Sequence, residues 1–421
     1  MDQPRQKPRL VPWLLGAVVL GLTLFAWRTL TEFDRRVAQL RSAGQIVTLA
    51  ELRPQYRSKK YLGTRLNSVA ASLKQFDSET IPAGDAYRDL DRIQEQHLPE
   101  AAAHLERYRE ALAGVQSALR ERSGSNAPIA DYDAFTQLLY QRLERNRSAS
   151  RLLMLQHAVL LCSGKRDEAA GVAIDLLELG RQARDEPFIV GGLTALAMEQ
   201  IGFKAAIATA QAFPDDKVVA HRLDAALAGM ADPSRLDRVL REERVLVIAQ
   251  IQRGNTLGMR QAGPVLLDRF EQLLRHGGAS RSPEKLNLRD QFFSWLADLV
   301  TPAIDSVRAA DDRVLTLLRC ARLQVALAAQ QPPLDSTPTA ESLGLRAADM
   351  LDPMTGKPLR IEHREVGPRQ DGVQHQAGWW VWGVGTNLID EGGELYDYED
   401  WGYGPPLEYT DSDPDASPED Q

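Results

Sequence analysis

Seven carboxylate and amide side chains crowd into 14 residues near the C-terminus: Asn387, Asp390, Glu391, Glu394, Asp397, Glu399 and Asp400. Hard carboxylate and amide oxygens at this density suit calcium, which takes six to eight of them at about 2.3–2.6 Å. Gly392 and Gly393 let the backbone turn sharply enough for several oxygens to converge on one cation. Asn387, Asp390, Glu391, Glu394 and Asp397 are therefore the expected ligands of a calcium loop, and a solvated acidic loop is the alternative. The pattern is not an EF-hand. Offsets counted from Asp397 place Trp401 at a ligand position, and Pro405-Pro406 breaks the loop. Offsets counted from Asp411 place Ala416 where the turn needs glycine.

Other chemistry finds less support. His97 and His104 are seven apart with Glu100 between, a spacing that mimics a metal pair on one helix face. Pro99 interrupts that face, and a solvated polar surface is expected there. His157 sits in "LLMLQHAVLLC" and reads as a hydrogen-bonded core histidine. No Gly-x-Ser-x-Gly elbow, phosphate-binding glycine loop or His-Glu-x-x-His helix occurs, so no catalytic residue is assigned. Glu242 and Glu243 lie in "RLDRVLREERVL", a charged helix face. Cys162 and Cys320 both fall in apolar helical stretches and read as two buried thiols, with a disulfide as the alternative in an exported chain.

The charge is segregated. The 12 acidic residues from Asp390 onward have no Lys or Arg among them. They leave 46 acidic against 50 basic residues in 1–389, so the net charge of -8 belongs to the tail. No basic patch points to nucleic acid. At the other end, "LVPWLLGAVVLGLTLFAW", residues 10–27, carries no charge and is flanked by Arg9 and Arg28. As a helix it reaches roughly 27 Å, close to a bilayer core. Phe25-Ala26-Trp27-Arg28 is a poor cleavage site, so an uncleaved anchor is expected. It would leave residues 1–9 as a cytoplasmic tail and export the body.

The elements that must position the acidic loop are mostly helices. Phe33, Val37 and Leu40 form one stripe, and Thr48 with Glu51 has capping-box spacing. Helices are expected over Thr64–Gln75, Asp85–His97, Pro99–Gly124, Asp131–Gly164 and the antiparallel run after Gly164-Lys165. Others fit Phe188–Phe213, Asp216–Met230, Pro233–Arg253, Val265–His276, Ser282–Leu299 and Pro302–Ala329, with Pro214, Pro233 and Pro264 as punctuation. No fixed-period repeat is found. After Gln330 the style changes. "PLRIEHREV" and "GWWVWGVG" read as two strands, with Trp380 and Trp382 on one face, expected to pack the hairpin on a helix, and Trp379 on the other. From Pro405 the tail is polar, proline-bearing and expected to be disordered.

The run "RLQVALAAQQ", then "LDPMTGKPLRIEH", then "GVGTNLIDEGG" resembles the globular head of type II secretion pseudopilins. Asp352, Pro353, Gly356 and Pro358 match its turn, and Gly383, Gly385, Gly392 and Gly393 its loop region, over residues 313 to about 400. The resemblance implies an amphipathic helix on a small antiparallel sheet, with calcium in the C-terminal loop. Ala26 stands where that family has a glutamate at the start of its apolar helix. The whole layout is similar to bacterial single-pass membrane proteins that carry such a cassette on a helical ectodomain.

The expected fold is mainly α. A transmembrane helix (10–27) leads to a helical exported body (28–312), a small α+β module with an antiparallel β-hairpin (313–404) and an acidic tail (405–421). The expected role is non-enzymatic: an interaction or scaffold protein of the bacterial inner membrane, its bulk periplasmic, with envelope proteins as partners. The alternatives are an envelope hydrolase with its site in the helical body and an accessory of a type II secretion-like system.

Overall fold

The computed structural model describes residues 31–52, 61–79, 97–121, 132–232, 234–254, 257–275, 288–334, 336–365, 369–370, 373–375, 377–393, 395, 400–405 and 407–408. The expected anchor, residues 10–27, lies outside them, as does the helix expected from Asp85 up to residue 96. Among the described residues no helix is long and apolar enough to cross a membrane.

The chain is mainly helical, with small antiparallel sheets near its end. Helix α1 covers residues 31–42. Single turns at Leu62–Arg65 and Leu66–Val69 lead into α2, Ala70–Ser78. Then come α3 (Leu98–Arg107), α4 (Arg109–Arg120), α5 (Tyr132–Cys162), α6 (Arg166–Ala183) and α7 (Phe188–Ala212). They are followed by α8 (Lys217–Ala228), α9 (Arg235–Gly254), α10 (Leu257–Arg275) and α11 (Leu288–Gln330). The chain divides into two compact units: residues 1–55 with 237–306, and 56–236 with 307–421.

In the first unit the α1 stripe is buried as its periodicity predicts, with Phe33, Val37 and Leu40 all inside. The Phe33 ring lies so close over Gly263 that a Cβ there would stand 2.4 Å from it. Thr48 and Glu51 form the expected capping box: the Glu51 amide donates to Thr48 Oγ1 at 3.2 Å, and the Thr48 amide to Glu51 Oε2 at 3.1 Å. The Glu51 carboxyl is held below its usual range, chiefly by the Val47 amide. Pro264 does not end a helix as expected; it lies inside α10. An interior proline removes one helical hydrogen bond. Burial of Ala262 before it and Leu266, Leu267 and Phe270 after it holds both sides to one apolar face. Pro302 likewise falls within α11, where a second helix was expected to begin.

In the second unit α5, α6 and α7 carry the central core. Gly164, at φ +67°, reverses the chain between α5 and α6, and the Lys165 amide closes the turn on Leu160 O at 3.0 Å. A Cβ on Gly202 would sit 2.8 Å from Leu177, so α7 needs glycine to approach α6. Asp216 caps α8, accepting from the amides of Val218 and Val219. The helix expected over Pro99–Gly124 is broken at Tyr108. The Tyr108 amide bonds to Leu105 O rather than one residue further back, and its ring packs edge-on to Phe76 at 5.2 Å. His104 corrects a second expectation. It is not on a solvated face but 2% exposed, pressed between Phe76 and Tyr108.

The sheet strands are β1 (Arg360–Arg364), β2 (Arg369–Gln370), β3 (Val373–His375), β4 (Gly378–Val384), β5 (Asp400–Tyr403) and β6 (Leu407–Glu408). They form two antiparallel sheets, ordered β1-β4-β5 and β2-β3-β6. The expected hairpin is present as β1 and β4, paired Ile361 to Val381 and His363 to Trp379. Strand β6 falls within the segment expected to be disordered; residues 409–421 lie outside the described ones. No disulfide joins Cys162 and Cys320; Cys320 is buried as expected, whereas Cys162 is only half-buried.

Candidate functional site

Alternation along β4 sorts its side chains onto two faces of the sheet. One face holds Trp379 and Val381 with Ile361, which pack against Cys320, Leu323 and Leu327 of α11. Gly383 lies on the same face, where a Cβ would stand 2.8 Å from Thr316. Gln324 fastens helix to sheet, its Nε2 donating to Trp379 O and Tyr403 O at 2.8 Å each. Trp380 and Trp382 therefore do not face the helix as expected. They occupy the opposite face, in register with Glu362 and Arg360.

That outer face is covered by the chain's own polar groups. The Arg364 guanidinium lies 5.0 Å from the Trp380 ring and 5.1 Å from Trp382, a cation–π sandwich. Arg364 Nη2 also donates to Gly392 O at 2.5 Å. The segment after β4 folds back over the same tryptophans. Gly393, at φ +79°, passes so close that a Cβ would stand 3.0 Å from the Trp382 ring. This is what the glycine pair accomplishes: it allows a left-handed backbone in van der Waals contact with an indole.

Of the five expected ligands, Asn387, Asp390 and Glu391 are among the described residues; Glu394 and Asp397 lie outside them, as does Glu399. Asn387 Oδ1 accepts from the Ile389 amide at 3.0 Å, and its Nδ2 donates to Glu391 Oε1 at 2.6 Å. Asp390 is a loop anchor. Its Oδ2 accepts from Arg360 Nε at 2.8 Å, while Oδ1 accepts from Trp382 Nε1 at 3.0 Å and the Gly392 amide at 3.2 Å. The indole N–H, then the Gly392 amide and Arg360, hold its carboxyl below the usual carboxylate range.

Two oxygens remain without donors. Asp400 is 1% exposed; its Oδ2 accepts from the amides of Glu391 (3.1 Å) and Gly393 (2.8 Å), but its Oδ1 has no hydrogen-bond partner. Glu391 Oε2 is buried and equally without a donor. The two carboxyls face each other. Burial, then Glu391 and Asp390 working against the Gly393 amide, push Asp400 up to about 6. Opposed carboxylate oxygens in a dry site are relieved by a proton or by a cation. Asp390 has already taken a protein cation, Arg360. Among the described residues no group of three or more His, Cys, Asp or Glu side chains is arranged to hold a metal.

Reading the sequence alone placed the acidic loop but missed Arg360, Arg364 and Trp382 as its partners. The alternation of Arg360, Glu362 and Arg364 was the available signal, but its meaning depends on which face of β4 the pairing register brings opposite. Compared with protein-family models, with curated proteins and with solved structures, the chain matches none.

Proposed function

We propose that this chain is a membrane-tethered scaffold or interaction protein of the bacterial cell envelope, and that calcium stiffens its C-terminal module. The apolar run at residues 10–27 supports the tether, and the absence of catalytic motifs in the sequence favours binding over turnover. The observation that carries the calcium reading is that two interacting carboxyls, Asp400 and Glu391, each keep a buried oxygen without a donor, Oδ1 and Oε2. Calcium there would draw on Asp400 and Glu391 first, with Glu394 and Asp397 of the same loop as further oxygen donors. Its charge would offset the repulsion between the two carboxyls. The stiffened surface, an acidic loop beside the Arg364–tryptophan sandwich, is the contact face offered to envelope partners.

The test is calorimetric titration of calcium into the full-length chain in detergent micelles, with melting curves at each point. Ligand that binds only the folded state raises the melting temperature with concentration. Saturable binding that is lost in Asp400→Asn together with Glu391→Gln supports the reading. Calcium heats no larger than those of magnesium, or unchanged in the double variant, sink it.

A further inference from the structure

We draw no further inference here: the strongest candidate, the outward apolar face of α7 where Val190, Leu193 and Ala197 are exposed, is an unpartnered surface, and nothing in the structure shows what covers it.

Discussion

The indole N–H of Trp382 donates to Asp390 Oδ1 at 3.0 Å, so the acidic loop is fastened to the sheet by the residue it covers. The bond gives Trp382 a reason to be tryptophan that packing alone does not supply. Trp382→Phe keeps most of the ring and removes the donor. A hydrogen bond to a charged acceptor contributes about 1.5–3 kcal/mol, and Asp390 retains Arg360 and Gly392, so a loss of about 1–2 kcal/mol is expected. Urea unfolding reads the loss, and amide exchange should quicken at Gly392 and Gly393. Unchanged exchange at those glycines would mean that Arg360, Arg364 and Asp400 hold the loop without the indole.

Buried His157 sets an acid limit on the helical core. It is fully buried; its Nε2 lies 2.8 Å from Thr209 Oγ1, and the Thr209 hydroxyl donates to Ala205 O. Burial presses its pKa down to about 4. The unfolded chain binds a proton below about 6.5, which the native state resists until about 4. Stability therefore falls as pH drops through that window, with a slope approaching 1.4 kcal/mol per pH unit from this residue. His157→Leu is expected to flatten the dependence between pH 6.5 and 4, measured by urea unfolding at a series of pH values. A slope that survives the substitution places the acid sensitivity elsewhere.

Glu199 is 0% exposed and joined to two arginines: Arg184 Nε donates to its Oε1 at 2.5 Å and Arg235 Nη1 to its Oε2 at 2.7 Å. Arg235 continues to Asp311 at 2.7 Å, and Arg184 to Met230 O, so the network ties α7, α9 and α11 together. Removing one partner of a buried pair leaves a charge that cannot rehydrate, at a cost of about 3–5 kcal/mol. Glu199→Gln is expected to fall in that range in chemical denaturation, and Asp311→Asn, whose partner keeps Glu199, well below it. Equal losses would indicate that Glu199 is not the hub.

What could be read from the chain without its coordinates was local. The Phe33–Val37–Leu40 stripe, the Thr48–Glu51 box, the Gly164 turn, the helix start at Asp216 and the β1–β4 hairpin each arise within a few residues. Backbone hydrogen-bonding needs and side-chain periodicity act at that range, so residue type alone reveals them. The tertiary structure decided the rest. It chose the Val381 face of β4 for α11 and left Trp380 and Trp382 to Arg364, because alternation defines two faces but does not say which meets a helix. It gave Asp390 to Arg360, 30 residues away, and put Asp400 against Glu391. It kept Pro264 inside a helix, since burial on both sides outweighed one missing bond. It buried His104 against Phe76 and Tyr108, on a face expected to be solvated. Each of these is settled by a partner distant in sequence, and the energy of such a contact depends on an approach that no local pattern encodes.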